Sequence, residues 1–284
     1  MIQEFSSPVR CKQAWDTFIS RDNQVVNNLP TRILSYCLED EAEVHRKGIL
    51  MLRQETEDLG TGFAFMTPPH RLVLSVPYPD DFESLANRLI EKERKIPGVV
   101  AARDIGFKFA NCWKDKTQAA FKLGHEMTVY ELRKEALFPE RSCPGNIRIA
   151  NMDDHAELTD WLIQFEIDAN LLIKTQDPGE VIRQLIDKEE IFIWENSSKE
   201  RMGCTRRLQL DDDGCCLNLV YTPQSKRNQG VASQLVAAVS QAFLERNPTG
   251  YCCLFTDNAN PTSNSIYQKI GYQEMAQFVE IDFL

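Results

Sequence analysis

The residues best suited to chemistry sit in Arg227-Asn228-Gln229-Gly230-Val231-Ala232. This stretch follows a short apolar strand, Leu217–Tyr221, and a helix is expected to start near Val231. The N-terminus of a helix carries unpaired backbone N–H groups and a partial positive charge. Gly230 has no side chain, so an anion can approach those groups closely. Lys226 and Arg227 add positive charge beside it. The ligand that suits such a loop is a phosphate or pyrophosphate. A P-loop would need Gly-x4-Gly-Lys-Ser/Thr, and a dinucleotide fold Gly-x-Gly-x-x-Gly. This loop has one glycine and matches neither.

The elements around the loop follow from spacing. Val231, Leu235, Val239 and Phe243 recur every four residues and share one face of the helix. Asn247-Pro248-Thr249-Gly250 ends that helix, because proline cannot continue it and glycine permits the turn. Cys252–Thr256 reads as a second buried strand. Strand, helix, strand at this length predicts a right-handed crossover between parallel strands. A further helix is expected from Asn260-Pro261-Thr262-Ser263-Asn264-Ser265-Ile266-Tyr267, followed by Gln268-Lys269-Ile270-Gly271-Tyr272.

Arg-x-x-Gly-x-Ala between a strand and a helix resembles the acyl-CoA pyrophosphate loop of the GNAT superfamily of N-acetyltransferases. The Asn-x6-Tyr helix with its Lys-x-Gly-aromatic exit is similar to a second motif of that superfamily, in the right order. The resemblance covers residues 145–284, and the whole chain looks like the tandem-GNAT proteins in which only the C-terminal copy has a usable cofactor site. It implies an α/β (mixed α+β) fold of two tandem domains. Each would be a mixed, largely antiparallel twisted sheet flanked by helices, with a splayed parallel strand pair in the second.

It also implies acetyl-CoA as the cofactor and an amine, of a small molecule or a protein, as the acceptor. Backbone groups of Leu219, Val220 and Tyr221 would meet the pantetheine. Arg227, Asn228, Gln229, Gly230, Val231, Ala232 and Ser233 would hold the pyrophosphate. Asn260 and Ser263 belong to the same cofactor set, and Tyr267 matches the tyrosine whose hydroxyl reaches the CoA sulfur. The implied reaction is direct attack of a neutral amine on the thioester, with a backbone N–H near Val220 or Tyr221 facing the oxyanion. Tyr267 would act as general acid toward the departing thiolate. Glu166 and Asp168, on the first helix of the second domain, are the candidate bases; a surface role is the plainer reading of either. The alternative to an enzyme is a non-catalytic CoA-binding regulatory or interaction protein.

Composition sets the bounds. The chain has 284 residues, 43% of them hydrophobic, which suits one large or two modest domains with real cores. Net charge is −10, against general nucleic-acid binding. Residues 141–284 hold 13 basic and 21 acidic groups, so −8 of that charge lies in the second half. No apolar run reaches the roughly 20 residues of a membrane span, and the N-terminal stretch lacks a signal-peptide core. Nine cysteines, scattered and without Cys-x-x-Cys, fit neither a disulfide framework nor a zinc site. A reducing cytoplasm, no metal, no nucleic acid and no membrane are therefore expected, with a homodimer left open.

Along the first half, helices are expected over 11–21 and 24–39, with Pro30 an obstacle in the second. Strands follow at Lys47–Gln54, Gly62–Met66 and Leu72–Val76. A helix capped by Asp80 or Asp81 carries Phe82, Leu85, Leu89 and Ile90 on one face. A strand over 97–101, a helix over 104–116 and a strand over Met127–Leu132 complete the set. The second half repeats that order. The first copy has Asp80 and Asp81 where phosphates would sit, so an anion would be repelled there. Two prolines and a glycine in Leu137–Asn146 mark a boundary between a degenerate domain, 1–140, and a transferase domain, 141–284.

Overall fold

A computed structural model describes residues 1–137, 143–170 and 174–284 of the chain. The boundary stretch 137–146 thus lies partly outside the described residues. Two compact units are present. Unit 1 comprises Met1–Val129, Phe255–Asn260 and Glu274–Leu284; unit 2 comprises Tyr130–Leu254 and Pro261–Gln273. This division differs from a single cut at 140/141, because each unit includes residues from the other half of the sequence.

Unit 1 opens with β1 (Ile2–Glu4), α1 (Pro8–Phe18), α2 (Asn28–Glu39) and the short α3 (Glu41–Arg46). Pro30 falls in the first turn of α2, where a missing N–H breaks no intrahelical bond, so the helix starts later than the expected residue 24. There follow β2 (Leu50–Thr56), β3 (Gly60–Met66), β4 (Leu72–Leu74), α4 (Phe82–Glu91), β5 (Gly98–Ala102), α5 (Arg103–Thr117) and β6 (Phe121–Leu132). Phe82, Leu85 and Leu89 of α4 are buried, while Ile90 is exposed.

The second half repeats the pattern. Its elements are β7 (Asn146–Ile149), α6 (His155–Asp168), α7 (Pro178–Asp187), β8 (Ile191–Glu195), β9 (Arg201–Gln209), β10 (Gly214–Tyr221), α8 (Val231–Arg246), β11 (Tyr251–Asp257), α9 (Pro261–Ile270) and β12 (Gln273–Phe283). In each half a strand and two main helices precede three strands, a helix, a strand, a helix and a strand. The tandem fold is therefore present in the order of elements as well as in the division into units.

In unit 1 the strands run β1-β2-β3-β4-β5-β12-β6. The pair β4 and β5 is parallel, with Leu72 opposite Val99, and β12 is antiparallel to β5, with Ile281 opposite Val99. Helices α4 and α5 cover a core that includes Leu85, Phe109, Val279 and Ile281. A separate cluster around Trp15, Phe63 and Phe65 lies under α1 and α2. In unit 2 the order is β6-β11-β10-β9-β8-β7, with β10 and β11 parallel. Its two cores hold Leu235, Val239, Phe243 and Tyr267 in one, and Leu158, Trp161, Ile182 and Leu185 in the other.

The strand β12 was absent from the expectations above, although Val279, Ile281 and Phe283 alternate with Glu280 and Asp282 as a half-buried strand should. The period gives the strand. It does not say which sheet accepts it.

A buried ionic node fixes the start of unit 2. Asp154 is fully buried and accepts from Arg148 at 2.7 and 2.8 Å and from Arg201 at 2.5 Å. Burial alone would raise its pKa, but bonds from Arg148, the Asn151 backbone N–H and Arg201 outweigh that and hold it at about 2. A depressed carboxylate stabilises the fold above its unfolded pKa and loses that contribution as pH falls through the folded value. The node is therefore worth about 2 kcal/mol above pH ~4, lost on the way to pH ~2. Asp154→Ala, which removes the buried carboxylate shared by Arg148 and Arg201 and leaves them only Glu195 and Glu157, is expected to destabilise unit 2 by about 2 kcal/mol at pH 7. Urea unfolding of the variant at pH 7 and pH 3 checks this; equal losses at both would contradict it.

Candidate cofactor loop and active site

Past Tyr221 the chain makes a short turn over Gln224–Lys226 and runs extended through Arg227. Asn228, at φ +60°, and Gly230, at φ +77°, then take left-handed conformations. Gly230 is the residue that caps α8, with no side chain bonded to the helix end. The first N–H groups of α8 therefore have no partner within the helix. Arg227, Asn228 and Gln229 are exposed, Gly230 and Ala232 half-buried, and Val231 and Ser233 buried.

The corresponding helix of unit 1 differs at this point. Asp81 caps α4, its carboxylate accepting from the Ser84 N–H at 3.2 Å. An anion of the chain itself thus occupies the start of α4, while the residue that caps α8, Gly230, has no side chain to offer.

The two loop cations are less available than their sequence position implies. Lys226 is only 19% exposed; its Nζ donates to the Arg201 carbonyl at 2.5 Å and lies 3.0 Å from Glu200. Arg227 donates through Nε to the Thr222 carbonyl at 2.9 Å and pairs with Asp168 at the end of α6. Its guanidinium also lies 6.0 Å from the centre of the Tyr221 ring.

Strands β10 and β11 part after three residues. Their parallel register joins Gly214, Cys215 and Cys216 to Tyr251, Cys252 and Cys253. Beyond it β10 continues for Leu217–Tyr221, paired to β9 with a break in register between Asn218 and Tyr221. Leu219 sits in this break at φ +49°, a left-handed conformation uncommon for leucine. The bulge turns the backbone of Leu219 and Val220 away from regular ladder geometry. At the middle pair of that register the Cys215 and Cys252 sulfurs are 3.5 Å apart as free thiols, and burial pushes the Cys215 thiol well up.

Tyr267 lies on α9, 7% exposed, between the rings of Tyr130 and Tyr272 at 6.3 and 6.0 Å. Burial raises its pKa to about 12, and a hydrogen bond with Ser263, one helical turn back, offsets part of the rise. The Tyr130 hydroxyl donates to Asn264 at 3.1 Å and accepts from Gln268 at 3.3 Å. Tyr130 comes from β6, and no sequence signal linked it to α9. Asn260 is exposed just before α9, with its N–H on the Asp257 carbonyl at 3.0 Å.

The two candidate bases on α6 have different surroundings. Glu166 is 6% exposed and accepts from both the backbone N–H and the hydroxyl of Thr175, at 3.0 and 2.5 Å. Asp168 is about half exposed and is brought to Arg227. Among the described residues no group of three His, Cys, Asp or Glu is placed to hold a metal ion, and no helix is long and apolar enough to cross a membrane.

Comparison with known proteins agrees with this architecture. Residues 198–280 match the model of the FR47-like protein family. A GNAT-family acetyltransferase from Colwellia psychrerythraea is similar over the full length of both chains, at 13% identity and a TM-score of 0.61. A GCN5-related N-acetyltransferase from Sphaerobacter thermophilus is similar over 93% of this chain and 95% of that one, at 12% identity and a TM-score of 0.59. A tandem GNAT protein from the clavulanic acid biosynthesis pathway is similar over 83% and 82%, at 8% identity and a TM-score of 0.52. No curated protein matches the sequence. The repeated order of elements and these likenesses show a GNAT-type fold in two tandem copies, and the FR47-like segment spans the parallel pair that parts at the bulge.

Proposed function

We propose that unit 2 binds acetyl-CoA and transfers its acetyl group to an amine, and that unit 1 is the copy without a cofactor loop. One observation carries this reading: α8 begins at a left-handed glycine with no side-chain cap, while α4 is capped by Asp81. The same fold thus has one helix start open to an anion and one already filled. Bound acetyl-CoA supplies an activated acetyl thioester to an amine nucleophile. The N–H groups of Gly230 to Ser233 hold the diphosphate, with Arg227, Asn228 and Gln229 around it. The bulged backbone at Leu219, Val220 and Tyr221 runs along the pantetheine, and an N–H there takes the charge that grows on the carbonyl oxygen.

Tyr267 delivers the proton to the departing sulfur. A hydroxyl with a pKa of about 12 is fully protonated at neutral pH and therefore always in the acid form. Glu166, held by Thr175, and Asp168, held by Arg227, are the carboxylates of α6 that can take the amine proton through water.

Tyr267→Phe is expected to lower the acetylation rate at least ten-fold while leaving acetyl-CoA affinity nearly unchanged. Single-turnover thiol release against the binding isotherm checks it, and an unchanged rate would remove Tyr267 from the chemistry. A CoA-binding protein without turnover is the second reading, favoured by the engagement of both candidate bases, Glu166 and Asp168. Calorimetric titration with CoA, then thiol release from acetyl-CoA over a panel of amines, decides between them. Binding with turnover supports the transferase, binding without it the second reading, and no heat of binding overturns both.

A further inference from the structure

Arg227 has two claims on it. In the structure its guanidinium is held by Asp168, the last residue of α6, by the Thr222 carbonyl and by Tyr221. It is also the basic residue closest in sequence to Gly230, which starts α8. Arg227 is 42% and Asp168 45% exposed, and pairs of that exposure contribute little net stability, so this one is easily exchanged. Lys226 is a contrast: it is more deeply buried, between the Arg201 carbonyl and Glu200.

Asp168 depends on Arg227 for its charge balance. The last turn of α6 contains no basic residue of its own. A carboxylate there adds to the negative end of the helix dipole, and a guanidinium offsets both. A diphosphate arriving at α8 carries more charge than Asp168 and competes for the same fork of donors.

We propose that Arg227 is a transferable cation: it holds Asp168 on α6 until a diphosphate occupies the loop, then moves to the diphosphate, so that cofactor occupancy is passed to the end of α6. The inference rests on the reading of the loop as a CoA site. It gives the protein a built-in order, in which Asp168 loses its Arg227 partner only after the cofactor is in place.

A double-mutant cycle tests the exchange, with CoA titrated calorimetrically into wild type, D168N, R227Q and the double variant. D168N removes the competitor and is expected to tighten CoA binding about five-fold. R227Q is expected to change it less than three-fold, because wild type only trades one partner of Arg227 for another. In the R227Q background, D168N is expected to have no further effect. Equal tightening in both backgrounds would show a plain field effect of the carboxylate and overturn the proposal, as would no tightening at all. Hydrogen exchange on the unsubstituted protein is an independent readout. Amides of residues 164–170 are expected to exchange faster when CoA is bound, and unchanged or slower exchange overturns the proposal. Failure of wild type to bind CoA would instead remove the functional reading, and the exchange with it.

Discussion

Ending the chain after Gln273 is expected to unfold unit 1, although unit 1 is built mainly from the first 129 residues. The lost segment carries β12, which stands between β5 and β6 in the strand order of that unit. Phe278, Val279 and Ile281 are completely buried, and Phe283 stacks on Trp113 at 5.7 Å. Arg71 is held by Asp282 at 2.7 Å and by Glu280 at 3.1 Å. Three fully buried apolar side chains contribute about 1.5–3 kcal/mol each, so their loss alone approaches the about 5–15 kcal/mol that holds an ordinary domain together. Leaving the ladder of β5 unpaired adds to the cost. Near-ultraviolet circular dichroism and limited proteolysis of the truncated chain check this. A protease-resistant fragment covering residues 1–129 in the truncated protein would contradict it.

Gly230→Val is expected to weaken CoA binding at least a hundred-fold, with a much smaller effect on stability. At φ +77° a β-branched residue is strained by about 1–3 kcal/mol, which the start of a helix can relieve by shifting. The shift is what damages the site, because the N–H groups of the first turn would no longer converge. The added methyl groups would also stand where an anion approaches. Calorimetry with CoA measures the first effect and thermal melting the second. Affinity within three-fold of wild type would mean that the start of α8 does not hold the cofactor.

Much of this was legible in the sequence. Gly230, the helix beginning at Val231 and the apolar stripe Val231, Leu235, Val239, Phe243 were readable because a helix start and a 3.6-residue period are local. So were a cap from Asp80 or Asp81 at the head of α4 and the repeated order of elements in the two halves. The extent of the parallel pairing was not. Leu217–Tyr221 reads as a strand to be shared with Cys252–Thr256, but the paired residues are Gly214–Cys216, and the break in register at Leu219 appears only when β9 and β10 meet. Nor did any motif connect Tyr130 with α9, since the two are more than a hundred residues apart.

By itself the sequence determined that one helix of the matching pair starts at a glycine and the other at an aspartate. These outcomes depend on a few consecutive residues and on backbone geometry that does not change with context. The tertiary structure decided which charges remain available beside that glycine, tying Lys226 to Glu200 and Arg227 to Asp168, 59 residues away. It also decided that the last strand of the chain completes unit 1. An alternating strand offers the same edge hydrogen bonds to any sheet, so only the shape of the core it enters, here around Val279 and Ile281, selects the partner.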